Sequence, residues 1–167
     1  MALMKYVREF LIRYGITYKG FVQPRQTESA PISDGEHLAQ FVRRVREVNR
    51  KDNSLKESAL TPKKHPFTKS VFRTDKMEQV EIEAAESRVM LNSGKDSIYG
   101  TVYFQKHNIE QCHAAGSGLH VEPEESDHRW HADIHWPTGD GPDAKALRTN
   151  LSQQLLSKTG QVVLRNP

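Results

Sequence analysis

Residues 130–136 read Trp-His-Ala-Asp-Ile-His-Trp, "WHADIHW", and the parity of this stretch decides how the rest of the chain is read. In a strand, successive side chains point to opposite faces. Trp130, Ala132, Ile134 and Trp136 then share one face, with His128 near its rim, and His131, Asp133 and His135 share the other. The first set suits burial against a core. The second is a polar row whose alternate members stand roughly 7 Å apart. A strand that is apolar on one side and polar on the other belongs to an antiparallel sheet with one solvated face. Pro137 and Gly139 end it.

Working outward, "LHVEP" (119–123) reads as a short edge strand closed by proline, able to lie beside 130–136. "DSIYGTVYFQ" (96–105) is a strand by its aromatic and β-branched content, with Gly100 as a bulge. Residues 67–73 and 161–165 read as further strands, and 108–118 as one helical turn before a glycine-rich bend.

Three longer helices are expected. Ser33 and Glu36 have capping-box spacing ahead of Leu38, Phe41, Val42 and Val45, which predicts a helix over 34–49. "MEQVEIEAAESRVML" (77–91) alternates like a strand at Val80 and Ile82, but its Glu/Ala content favours a helix. Residues 138–158 read as a turn and then a helix, with Asp143 as N-cap, a stripe of Leu147, Leu151, Leu155 and Leu156, and Gly160 as the stop. The order of elements predicts an α+β fold, a mainly antiparallel sheet with helices packed on one face, in a single domain over 31–167. Ahead of it, an amphipathic helix at 2–14, a short strand at 16–22 and a polar linker at 23–35 make residues 1–30 an N-terminal helical arm.

Composition bounds the function classes. A chain of 167 residues suits one domain, and its 36% apolar and 27% charged residues allow a core under a very polar surface. No run approaches the roughly 18–20 apolar residues of a membrane span, so no membrane partner is expected. The opening "MALMKYVREFLIRYG" is interrupted by Arg8, Glu9 and Arg13 and does not read as a secretory signal. A single cysteine, Cys112, permits no intramolecular disulfide, which fits a cytoplasmic location. It also excludes a cysteine-rich zinc site.

The net charge of +3 hides an asymmetry. Residues 1–74 carry 15 Lys/Arg against 7 Asp/Glu, and residues 75–167 carry 9 against 14. A basic half can bind a polyanion or dock on an acidic protein surface. The densest basic stretch, "RRVREVNRK" (43–51), places Arg43, Arg44, Arg46 and Arg50 over the outer faces of the expected helix. It lacks the aromatic interleaving of single-strand binders and any helix-turn-helix partner. The glutamates at 78, 81, 83 and 86 are the natural counter-charges for these arginines.

His131, Asp133 and His135 form the candidate divalent-metal set, with His113, His120 or Glu122 supplying a third ligand from the neighbouring strand. The same residues without a metal make a His/Asp acid–base pair. A solvated sheet face is the commoner meaning of such a stretch, so a metal is not favoured. Cys112 and His113 are adjacent and so poorly placed as a thiolate–imidazole pair. "GDG" (139–141) leads into a helix, but Asp140 and Asp143 occupy the place of a phosphate, and the chain holds no P-loop or dinucleotide fingerprint.

"SALTP" (58–62), "TKSVFR" (68–73), the strand "IYGTVYF" (98–104), "HADI" (131–134) and a helix with Ala144, Ala146 and Leu147 resemble, in that order, a family of small bacterial proteins without a known activity, met near mobile or defence genes. His131, Ala132 and Ile134 match its His-Ala-x-Ile strand. The resemblance implies no reaction and assigns no catalytic residue. The sequence therefore points to an accessory or regulatory binding protein that docks on a protein partner. A small metal-dependent hydrolase using His131, Asp133 and His135 is the alternative, and a nucleic-acid binder using the 43–50 arginines is a third.

Overall fold

The computed structural model describes residues 30–94, 98–124 and 130–165, except for the side chains at 92 and 93. The expected helix at 2–14, the strand at 16–22, nearly all of the arm and His128 lie outside the described residues. From Pro31 onward the chain belongs to one compact unit.

Six strands form one sheet in the order β6-β7-β2-β1-β3-β8. They are β1 (His37–Val42), β2 (Thr68–Arg73), β3 (Gly100–Gln105), β6 (His120–Pro123), β7 (His131–His135) and β8 (Val163–Leu164). All five pairings are antiparallel. β4 (His113–Ala114) and β5 (Ser117–Gly118) form a separate hairpin whose turn puts Ala115 and Gly116 at φ 49° and 76°. The helices are α1 (Glu57–Leu60), α2 (Gln79–Ser93), α3 (Lys106–Glu110) and α4 (Pro142–Ser157). The fold is α+β, as the sequence predicts.

The register fixes which side chains share a face. Leu38 opposes Arg73 and Phe104, Val71 opposes Ala132, and Val121 opposes Ile134. This face carries the larger core: Leu38, Val42, Val71, Val102, Ala132 and Ile134 pack with Leu151 and Leu155 of α4, Leu60 of α1 and Ile109 of α3. Each fully buried leucine or isoleucine there contributes about 1.5–3 kcal/mol. Trp136 joins this core and donates its indole N–H to Ser152 Oγ at 3.0 Å.

Ala39, Phe41 and Phe72 point to the opposite face, where they pack with Ala85, Ile98 and the partly buried Ile82, Val89 and Met90. The expectation of helices on one face is thus corrected: α4 covers one side of the sheet and α2 covers part of the other. The reason lies in β1, whose Leu38 and Val42 are buried on one side and Ala39 and Phe41 on the other. A central strand with two dry faces needs a cover on each.

The helix expected over 34–49 is not formed. The chain makes a turn at 34–35, the strand His37–Val42, and a short 3-10 turn at Val45–Glu47. One capping-box bond is nonetheless present, the Ser33 N–H donating to Glu36 Oε2 at 3.3 Å, beside a backbone turn bond from the Glu36 N–H to the Ser33 carbonyl at 3.0 Å. The apolar positions 38, 41, 42 and 45 fit a helical stripe. Positions 38, 41 and 42 fit a strand buried on both faces equally well, while Val45 lies exposed beyond its end, and the sheet decides.

The helix expected at 77–91 forms as Gln79–Ser93, entered by a Glu78 N–H bond to the Glu81 carboxylate at 3.0 Å and left through Gly94 at φ 61°. In α4, Gly141 rather than Asp143 is the N-cap; Pro142 takes the first helical position and Asp143 the next. Gly100 is a regular strand residue, not a bulge, paired with Val42 on one side and Leu164 on the other. Its missing side chain lets β8 close in, because a Cβ there would stand 2.7 Å from Val162 Cγ1 and from the Val163 carbonyl oxygen.

Candidate functional site

The three expected strand residues do lie on one face. In the register, His131 opposes Phe72, Asp133 opposes Ser70, and His135 opposes Thr68. From the other side β6 brings His120 opposite His135 and Glu122 opposite Asp133. The polar row is therefore a polar field across three strands, at the β6 end of the sheet.

Within this field the ligand atoms of His120, Glu122 and His135 all lie within 4.8 Å of one another. The Glu122 carboxylate stands 3.8 Å from His120 Nε2 and 3.9 Å from His135 Nε2. The two imidazoles stack at 4.7 Å with 8° between their planes. Tetrahedral zinc ligands at about 2.0–2.2 Å from the ion sit roughly 3.4 Å apart, so small side-chain rotations bring all three onto one ion. His120 and Glu122 are exposed and His135 half-buried, which leaves them free to rotate and open to solvent.

The expected set is therefore regrouped. His135 joins His120 and Glu122, while His131 and Asp133 do not join them. Four residues of strand separate His131 from His135, roughly 13 Å of backbone, too far for one ion. His131 is buried against the Phe72 ring, with centroids 5.4 Å apart, and its Nδ1 has no protein hydrogen-bond partner. Its Nε2 stands 3.6 Å from Asp133 Oδ1, close enough for charge interaction and too long for a hydrogen bond. His113 lies in the hairpin, where its backbone bonds the Gln154 side chain. Cys112 is fully buried, and burial pushes its thiol up from its ordinary value against the weaker pull of Lys158.

The basic stretch stands on a loop rather than a helix. Arg43, Arg46 and Arg50 are exposed and Arg44 half-buried. They divide between two clefts. Arg46 and Arg50, with Lys51 and Lys56, line a shallow cleft of about 450 Å³ in the 45–56 segment. Arg43 lines a second cleft of about 290 Å³ with His131 and Arg88. The glutamates named as counter-charges are engaged elsewhere: Glu86 pairs with Arg165, Glu81 bonds the backbone of Glu78, and Glu83 bonds Gln79. Among the described residues no helix is long and apolar enough to cross a membrane.

No protein family, no curated protein and no solved structure matches this chain.

Proposed function

We propose that this protein binds one divalent transition-metal ion of the zinc class through His120, Glu122 and His135 and uses it in hydrolytic chemistry. The convergence of two imidazoles and a carboxylate from adjacent strands is the observation that carries this reading. Two nitrogens and one oxygen are the ligand set of a catalytic rather than a structural zinc site, with the fourth position left for water. A bound ion supplies Lewis acidity and lowers the pKa of that water. Asp133, opposite Glu122 in the strand pairing, would be the neighbouring carboxylate to take that water's proton.

The test is titration of tag-free, metal-stripped protein with Zn²⁺ by calorimetry. One ion per chain is expected, with affinity falling at least tenfold in each of His120→Ala, Glu122→Gln and His135→Ala. Affinity in the three variants equal to that of the native chain, or no binding by the native chain, overturns the reading.

A second reading, an accessory protein docking on an acidic partner, is supported by the gathering of Arg46, Arg50, Lys51 and Lys56 around one cleft against the single carboxylate of Asp52. Pull-down across a salt series tests it. Capture must weaken with salt and with Arg46→Ala/Arg50→Ala. Capture of nucleic acid instead would assign the cleft to phosphate-backbone binding.

A further inference from the structure

β1 and β2 are the two middle strands of the sheet, yet they pair only at Leu38 with Arg73 and Ala39 with Phe72. On their outer sides the ladders are long: β1 pairs with β3 along its whole length, and β2 with β7 from Thr68 to Phe72. Beyond Ala39 the two strands part, and residues 40–42 of one and 69–71 of the other pair nowhere with each other. The 290 Å³ cleft opens in this gap, lined by Gln40 and Phe41 on the β1 side and by Thr68, Lys69 and Ser70 on the β2 side.

The side chains at the gap alternate between the two faces of the sheet. Parity puts Gln40 and Lys69 on the face of Leu38 and Val71, and Phe41 and Ser70 on the face of Ala39 and Phe72. Such side chains do not converge on one small ligand. What the two strands share at the gap is backbone, and backbone N–H and C=O groups need partners. An extended chain supplies both in the same alternation, as a strand added to a sheet does. We propose that the split between β1 and β2 is a docking site for a short extended peptide, whose backbone takes the ladder positions that residues 40–42 and 69–71 leave open to one another.

The surroundings fit this occupant. An extended chain sends its own side chains alternately to the two faces. On one face Phe41 and Phe72 stack at 5.2 Å, beside Val89 of α2, as an apolar wall for one peptide side chain. On the other, Gln40 has a buried Oε1 without a hydrogen-bond partner, an acceptor that an incoming N–H can fill. The Ala39–Phe72 pair closes the inner end, so the gap takes about three residues, roughly 10 Å of strand. The outer ladders already hold β1 and β2 in place, so little of the protein has to be ordered on binding. The inference is independent of the metal, since none of its residues belongs to the His120/Glu122/His135 trio.

The experiment screens the full-length, metal-free protein against a library of synthetic hexapeptides with blocked ends, and the tightest binder is titrated while amide exchange is followed. Saturable binding with new protection at 40–42 and 69–71 is expected. Methylating alternate peptide nitrogens of that hexapeptide keeps its side chains and removes its ladder donors, and should weaken binding at least tenfold. Ser70→Tyr, at an exposed position beside the gap, should weaken it by a similar factor. His120→Ala should leave it unchanged. If Ser70→Tyr does not fold, as circular dichroism would show, the methylated peptide decides on the native chain. The inference fails if no hexapeptide binds, if the methylated peptide binds as the parent does, or if the new protection falls on 120–123 or 163–164, which would place the peptide on an outer edge of the sheet.

Discussion

Arg73 and Glu36 form an ion pair sealed from solvent, with Nε to Oε1 at 2.5 Å, Nη2 to Oε2 at 3.0 Å, and side chains 0% and 1% exposed. Arg73 also donates to the Pro31 carbonyl at 3.3 Å and lies 5.7 Å from the Trp130 ring centre. The pair ties the turn before β1 to the end of β2. Burial alone would raise the Glu36 carboxyl. Hydrogen bonds from Arg73 and the Ser33 N–H, with the charges of Arg73 and Lys76, outweigh it and hold the group below the ordinary 4.5.

Glu36→Ala should therefore cost about 3–5 kcal/mol, because it leaves a buried guanidinium without its counter-charge. Glu36→Leu combined with Arg73→Met should recover most of that loss, and urea unfolding measures both. A carboxyl held low in the folded state contributes stability above its unfolded value and loses it as pH falls through the folded value. The native chain should weaken below about pH 4.5 by an amount that the double variant does not show.

Glu86 behaves in the opposite sense. Burial raises its carboxyl, and the charge and hydrogen bond of Arg165 offset this only in part. A raised group favours the folded state at low pH, and that contribution is lost as pH rises through the folded value. Glu86→Gln should thus leave stability at pH 7 within about 1 kcal/mol of native or slightly above it, since its partner Arg165 is half exposed. A loss comparable to that of Glu36→Ala would contradict this.

The thiol of Cys112 donates to the Asn108 carbonyl at 3.2 Å and is fully buried. It should resist an aromatic disulfide reagent at pH 8 in the native chain and react with one equivalent in denaturant. Fast reaction in the native state would show that the α3 region opens readily.

Gly100→Ala drives a methyl group into Val162 and the backbone of Val163. Displacing β8 should cost about 1–3 kcal/mol, as overpacking does. Loss of amide protection at Thr101, which pairs with Val163, should accompany it.

The parity of β7 was legible in the sequence because the strand period is two and its apolar and polar residues separate cleanly. The same logic could not read β1, where Leu38 and Phe41 face opposite cores and no polar alternation marks the strand. Ser33 and Glu36 added a local helix signal that is real as a turn, but Glu36 serves Arg73 instead. For the site, His120 and Glu122 were visible as candidates beside His135. Their partnership depends on the β6–β7 register, which is set by long-range pairing that no local motif encodes. The divergence of β1 from β2 is likewise a property of the assembled sheet.

The register that pairs His120 with His135 also sets Val121 against Ile134 on the buried face. A slip of β6 by one residue would turn His120 and Glu122 toward the core and Val121 toward water. Burying an imidazole and a carboxylate there is far costlier than exposing one valine. Val121, which touches no ligand, thus acts as a proofreader of the site: only the alignment that keeps it dry also brings the three donor side chains together.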